Sequence, residues 1–164
     1  MTKAELGLFK LHVGIGWVAE DANGNPTDCD VSVFMVDANG KIPGDEFFVF
    51  YHNLTSSDGS AVHQGDNTIG EGDDEEIKIN ISKVDNSVIE MLFIITIYDA
   101  DKNGQDFSMV HNLFIRILND GKQKELCRYN LVSSFVGCDS VEIGRAYRSG
   151  DNWEFGDIET GYSG

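Results

Sequence analysis

The fold class is decided by an alternating stretch of sequence, Phe9-Lys10-Leu11-His12-Val13-Gly14-Ile15-Gly16-Trp17. Large apolar side chains occupy every second position, and the residues between them are polar or glycine. In an extended chain, alternate side chains point to the same side, so this period of two is typical of a half-buried strand. The stretch therefore predicts a β-strand with one face in a hydrophobic core.

Similar short segments recur along the rest of the chain, at 31–36, 47–50, 77–81, 91–98, 113–118, 125–129, 141–147 and 153–158. Turn sequences rich in Asp, Asn and Gly separate many of them. No segment sustains helical periodicity over three turns, and only 82–88, 106–110 and 131–135 predict short helical turns. About nine short strands predict an all-β fold, an antiparallel β-sandwich of two sheets with a few short helical turns, and a barrel is the alternative.

The same period predicts which side chains form the core. Segment 91–98 is apolar on both faces, which predicts a central strand that is covered on both sides. At 47–50 all four residues are apolar, so the pattern itself does not choose the buried face there. We expect a core of Leu11, Val13, Ile15, Trp17, Val33, Met35, Phe48, Phe50, Ile79, Phe93, Ile95, Ile97, Phe114 and Ile115.

Length and charge limit the classes of function. A chain of 164 residues with 41% hydrophobic residues predicts one folded domain over 1–164. Its 28 acidic and 12 basic residues give a net charge of −16, which disfavours nucleic acid and, without calcium, anionic membranes as partners. With no long apolar segment, no apolar leader and only three cysteines, the expected location is the cytoplasm.

The most acidic stretch is Gly65-Asp66-Asn67-Thr68-Ile69-Gly70-Glu71-Gly72-Asp73-Asp74-Glu75-Glu76, in which six of twelve residues carry a carboxylate. Crowded carboxylates repel one another, and calcium offsets such repulsion because it takes six to eight oxygen ligands. The alternative is a solvated acidic surface, and composition does not choose between these interpretations.

Two other acidic groups lie next to predicted strands. Asp28 and Asp30 are spaced to share a face at the start of a strand, which makes them a possible wall of a metal site or a solvated pair. Asp99, at the end of the central strand, is placed to reach a shared ion. The segment 99–104 imitates the first half of an EF-hand loop, but the match fails because Val110 stands where that loop needs a glutamate.

Catalytic motifs are scarce. The four histidines have no metal-ligand spacing, and the sequence lacks a nucleophile elbow and a phosphate-binding loop. We therefore predict a protein that is not an enzyme. A metal-dependent hydrolase that uses the same acidic loops is the alternative, because carboxylate clusters also hold Mg²⁺ or Mn²⁺ and activate water.

Many segments resemble, in order and spacing, the TerD family of tellurium-resistance and stress-response proteins. They are 14–17, 28–34, 48–53, 57–60, 65–67, 70–75, 96–99, 112–116, 128–131, 147–148 and 153–155. The resemblance covers nearly the whole chain. It departs at Val18, where the family usually has Asp, in an acidic loop that is two residues shorter, and in a brief N-terminal segment that predicts a missing edge strand.

The resemblance implies a two-sheet β-sandwich with one or two calcium ions bound by acidic loops at one end. The implied ligands are Asp28, Asp30, side chains of Asp66, Asn67, Glu71, Asp73 and Asp74, and carbonyls near Gly70 and Gly72. The resemblance does not supply a molecular mechanism. Our leading hypothesis is a cytoplasmic stress-response or signalling module that acts by calcium-dependent binding and not by turnover. Its candidate partners are a protein, such as another stress-response protein, or a membrane-associated complex. Direct tellurite chemistry by Cys29, Cys127 and Cys138 is a weaker alternative, because the three are scattered along the sequence.

Overall fold

Two antiparallel sheets make up the computed structural model of this chain. It describes residues 3–5, 10–19, 29–42, 44, 47–50, 53–56, 58–63, 75–97, 110–119, 124–130, 138, 140–149 and 152–162. The strands are β1 Lys3–Glu5, β2 Lys10–Ala19, β3 Cys29–Val36, β4 Phe48–Val49, β5 Ala61–His63, β6 Glu75–Asn80, β7 Glu90–Ile97, β8 Val110–Asn119, β9 Lys124–Asn130, β10 Ser140–Ser149 and β11 Asn152–Tyr162. A short 3-10 helix spans Ile81–Lys83. The predicted fold class is confirmed.

Sheet A has six strands in the order β1-β11-β10-β7-β3-β4, and sheet B has five in the order β5-β6-β2-β8-β9. The helical turn expected over 82–88 is reduced to the 3-10 helix, and those expected at 106–110 and 131–135 lie outside the described residues apart from Val110, which begins β8. The N-terminal segment supplies β1, which pairs with β11, so the prediction of a missing edge strand is wrong. Within the described part of the chain, no helix is long and apolar enough to cross a membrane.

The core lies between the sheets and draws on both of them. Leu11, Val13 and Ile15 of β2 join one buried cluster with Phe93, Ile95 and other residues of sheet A. Across the interface, the Tyr129 ring of β9 lies 5.7 Å from the Phe155 ring of β11, measured between centroids. The contact shows that the inner faces of the two sheets pack directly against each other.

The ring of Phe155 packs closely against the backbone at Gly144. A β-carbon on Gly144 would lie 2.6 Å from Cζ of the Phe155 ring, a distance that real β-carbons do not adopt. Gly144 follows a register shift in β10, between Glu142 and Gly144. The missing side chain therefore leaves the space that this large core ring fills.

The core prediction is correct for most strands and wrong at two places, and Trp17 is only partly buried where it packs against the core. In and around β4 the buried residues are Phe47 and Val49, whereas Phe48 and Phe50 are half-buried on the other face. Val49 pairs with the buried Val33, so pairing with β3 makes the choice that the apolar run left open. Phe114 is also half-buried, because it is adjacent to the inward-facing Ile115 and must point to the other side.

Strand β7 occupies the predicted central position, since it pairs with β3 on one side and β10 on the other. Its side chains alternate between buried and half-buried along Glu90–Ile97. One face is thus fully covered by the core. The other face is only partly covered, so the prediction of a central strand is confirmed and that of cover on both faces holds only in part.

One end of the sandwich is closed by tight turns at 37–41, 56–60 and 84–88, which we call the turn end. The Asp58 carboxylate joins two of these turns: Oδ1 accepts hydrogen bonds from the hydroxyls of Ser56 and Ser60, at 2.7 and 2.6 Å, and Oδ2 accepts one from the Asp85 N–H at 2.9 Å. Burial is the largest single influence on the pKa of Asp58 and raises it, but the hydrogen bonds together hold that pKa below 3.8.

Candidate functional site

The opposite end of the sandwich, which we call the loop end, gathers the long connections. At this end β2 finishes where β8 begins, with Ala19 opposite Val110, and β7 finishes where β3 begins, with Ile97 opposite Cys29. The strand ends that flank segments 20–28 and 98–109 therefore lie together, although the two strands of each connection belong to different sheets.

Two further connections meet the same end. Glu75, the first residue of β6, pairs with Ile15 in the second half of β2, so segment 64–74 enters its strand there. Ser140, the first residue of β10, pairs with Thr96 near the end of β7, so segment 131–139 does likewise. The topology thus brings the flanking strand ends of four connections, which are remote in sequence, to one end of the molecule.

The connections at the loop end are rich in carboxylates. Three acidic residues occur in 20–28, four in 64–74 and three in 98–109, and Lys102 is the only base in these three segments. Carboxylate and amide oxygens are hard ligands, which suit Ca²⁺ better than the nitrogen- and sulfur-seeking metals. The chemistry of this donor set therefore fits calcium.

One predicted ligand falls within the described strands. Asp30 is the second residue of β3, directly opposite Thr96, and the Thr96 and Ser140 hydroxyl oxygens lie 3.4 Å apart. This position places Asp30 at the loop end, as a metal site there requires. The other predicted ligands lie outside the described residues: Asp28, Asp66, Asn67, Gly70, Glu71, Gly72, Asp73, Asp74 and Asp99.

The described residues by themselves form no metal site. Among them, no three or more His, Cys, Asp or Glu side chains lie close enough to hold a metal ion. The half-buried Cys138 packs against the hydrophobic core.

A buried pair, His12 and Glu76, was not predicted from the sequence. Nε2 of His12 lies 2.9 Å from Oε2 of Glu76, and both side chains are almost fully buried on sheet B. The sixty-odd residues between the two positions carry no signal of their contact. Because the imidazole engages its carboxylate, Glu76 is set apart from the other five acids of segment 65–76.

The fold and the acidic loop end define a class of all-β protein, a two-sheet sandwich with a carboxylate-rich end. The TerD domain model matches residues 1–164. The chain therefore belongs to the TerD domain family, as its sequence motifs predicted.

Two relatives show what proteins of similar sequence are named for. Tellurium resistance protein TerD of Serratia marcescens is 41% identical over 166 residues, which cover all of this chain and 86% of the relative. General stress protein 16U of Bacillus subtilis is also 41% identical, over 167 residues, with the same coverage. Neither name refers to a catalytic activity.

A solved structure shares the fold. A homologue of the telluride resistance protein TerD from Streptomyces coelicolor superposes with a TM-score of 0.72, over 96% of this chain and 92% of that one. The two sequences are 20% identical over this superposition. The likeness therefore supports the two-sheet architecture.

Proposed function

We propose that this chain is a calcium-binding module of the tellurium-resistance and stress-response type, which acts by calcium-dependent binding of a protein partner and not by turnover. The observation that carries the proposal is the convergence of strand ends at the loop end. Three acid-rich segments, 20–28, 64–74 and 98–109, begin and end there although they are far apart in sequence. Their carboxylates need a cation if they are to lie close together.

The proposed ligands come from three of the connections and from the start of β3. They are the side chains of Asp28, Asp30, Asp66, Asn67, Glu71, Asp73, Asp74 and Asp99, with carbonyls at Gly70 and Gly72. A bound calcium ion supplies positive charge that offsets their repulsion and orders the segments that carry them. The number of ions is one or two.

The biological role is proposed from the relatives. Proteins named for tellurium resistance and for general stress match the full length of this chain at about 40% identity. With a net charge of −16, the surface suits a protein partner better than nucleic acid. Ordering of the loop end by calcium would present that partner with a defined surface.

Titration calorimetry on chelator-treated protein tests the proposal. We expect calcium to bind with measurable heat and magnesium to bind more weakly, because magnesium demands a smaller octahedral shell and parts slowly from its water. Asp74→Asn should weaken calcium binding by about tenfold or more, since it removes a charged ligand. Absence of calcium binding to the wild-type protein at millimolar concentration would contradict the proposal.

Asp37→Asn is the matched control. It removes the same charge from the turn end, where the Asp37 Oδ1 atom accepts a 2.8 Å hydrogen bond from the Asn39 N–H. Calcium affinity should be unchanged in this variant. Equal losses in Asp37→Asn and Asp74→Asn would show that calcium responds only to overall charge.

A further inference from the structure

The outer face of sheet A is apolar along three neighbouring strands. Phe34 of β3 lies directly opposite Leu92 of β7 on one side and Phe48 of β4 on the other, so these side chains form one row across the sheet. Ile94 and Phe50 extend the row into a patch, and we call these five residues the apolar patch. All five are half-buried and keep part of their surface in water, although the outer face of an antiparallel sheet is ordinarily polar.

The three phenylalanines of the apolar patch stack on one another. The centroid of the Phe48 ring lies 4.3 Å from that of Phe34 and 4.5 Å from that of Phe50, and the ring planes are within 12° of parallel. Stacked rings have little freedom to turn. The patch is therefore a preformed surface, and little side-chain ordering is needed when a partner covers it.

The sequence of these strands is typical of strands that are covered on both faces. Segments 47–50 and 91–95 are apolar without interruption. In the structure the hydrophobic core covers one face of β7, whereas the outward side chains of that strand are half-buried. Contiguous apolar surface outside a core marks interaction sites. A partner on the apolar patch would supply the cover that the chain itself does not complete.

The charge around the apolar patch selects the kind of partner. Among the described residues, Glu90, Glu142 and Glu154 lie on the same outer face. Arg145 lies there as well, with its guanidinium 3.3 Å from the Glu90 carboxylate. These four residues are net negative, as is the whole chain at −16. A second copy of the chain and an anionic membrane are negative too, so a basic partner has the complementary charge.

We propose that the apolar patch docks an amphipathic helix of a partner protein, with apolar side chains toward the sheet and lysines or arginines beside them. Three adjacent strands span about 10 Å from the first to the third. One helix with its side chains is about 10–12 Å wide, so a single helix matches the row. The contact lies on the face of sheet A and needs no calcium ion, so it goes beyond the proposed function.

Fluorescence anisotropy with three designed helical peptides tests the proposal, in chelator-containing buffer at about 0.15 M salt. The first peptide has a leucine face and a lysine face, the second has glutamate in place of every lysine, and the third has alanine in place of every leucine. The full chain should bind the first at least about tenfold more tightly than either of the others, because only the first offers both an apolar face and complementary charge. Equal binding of the first and third would show attraction to net charge alone and would overturn the proposal, as would no binding of the first.

Substitutions test whether the leucine–lysine peptide binds at the apolar patch. Phe48→Thr removes the central ring but keeps a residue that suits a strand, and it should weaken binding by about tenfold or more. Leu54→Thr is the matched control: it removes an exposed apolar side chain beside β5 of sheet B and should leave binding unchanged. Thermal melting verifies that the variants are folded, and Ile94→Thr takes the place of Phe48→Thr if that variant does not fold.

Two results with these variants contradict the proposal. Binding that is unchanged by loss of the patch side chain, or reduced equally in Leu54→Thr, would place the peptide elsewhere. A wild-type dimer in sedimentation velocity that Phe48→Thr dissociates would show that a second copy covers the patch. Because every measurement is made in chelator, these outcomes do not depend on whether calcium binds.

Discussion

The two ends of the sandwich both carry acidic residues, but the turn end holds them in a network of hydrogen bonds, whereas the sequence crowds them together in the segments that meet the loop end. At the turn end, Asp37 accepts hydrogen bonds from the N–H groups of Asn39 and Lys41, and Asp58 accepts them from two hydroxyls and two N–H groups. At the loop end, acidic residues follow one another in segments with a single base. The comparison teaches that hydrogen bonds from the chain itself make an acidic residue of the turn end a poor candidate ligand, whereas crowding of carboxylates along the sequence makes the segments at the loop end good candidates.

Arginine reinforces this difference at the turn end. Arg148 donates hydrogen bonds to the carbonyls of Val88 and Asp85, at 2.8 and 3.1 Å, and its guanidinium carbon lies 4.8 Å from the centre of the Trp153 ring. The exposed Asp85 carboxylate in turn accepts hydrogen bonds from the N–H and hydroxyl of Ser87, which lower the pKa of Asp85. The turn end is therefore satisfied without a cation.

The largest expected effect on stability is that of a substitution in the hydrophobic core. Ile95 is fully buried in the central strand β7, so Ile95→Ala should lower the free energy of unfolding by about 2–5 kcal/mol through lost contacts and a cavity. Because the change removes no carboxylate from either end, the stabilisation by calcium should be retained. Denaturant melts measure the loss, and a loss below about 1 kcal/mol would show that β7 is not central to stability.

The next largest effect on stability should be that of calcium, which we expect to act at the loop end and not at the turn end. If it binds the folded state alone, it should raise the free energy of unfolding by about 2.7 kcal/mol at 100 times its Kd. Asp66→Asn should remove most of the calcium-induced rise in melting temperature while leaving the melting temperature of the apo protein equal or higher, because one repulsive charge is gone.

Thermal melts with calcium and with chelator measure the calcium-induced rise in melting temperature and the melting temperature of the apo protein. Asp101→Asn serves as a control within the same acidic region, since we predict that Asp101 belongs to a turn and not to the ligand set. An unchanged melting temperature of the wild-type protein in millimolar calcium would remove the proposed difference between the ends.

A smaller effect is expected at the turn end. Asp58→Ala leaves the buried hydroxyls of Ser56 and Ser60 without their acceptor and should cost about 1–3 kcal/mol at neutral pH. The calcium-induced rise in melting temperature should be the same as in the wild-type protein. A variant that instead lost the response to calcium would show that the two ends are not independent.

The pH dependence of the stability lost in Asp58→Ala tests whether that loss comes from the Asp58 carboxylate. The folded-state pKa of Asp58 lies below its ordinary value of 3.8, so its contribution to stability is present above that value and is lost as the pH falls through the lower, folded pKa. The difference between the wild-type protein and Asp58→Ala in denaturant melts should therefore be full near pH 7 and shrink below about pH 4. A difference that stayed constant down to pH 2 would assign the cost to lost packing.

Local patterns in the sequence determined the strands and much of the core. Alternation in 9–17 is enough to define which residues of β2 face inward, because a strand has only two faces and one of them must leave water. The apolar run 91–97 is likewise enough to predict that β7 is a central strand. The acidic segment 65–76 is likewise visible in the sequence, since crowding of carboxylates along the chain needs no fold to be recognised. Family membership followed from the order of its motifs.

Only the tertiary structure decided which residues meet across long separations. The buried face of β4 depends on its pairing with β3, the contact of His12 with Glu76 depends on the ladder between β2 and β6, and the convergence of 20–28, 64–74 and 98–109 depends on the order of strands in two sheets. Nothing local encodes these neighbours. Strand order and register are chosen by the packing of the whole core, and a period of two specifies a face but not a partner.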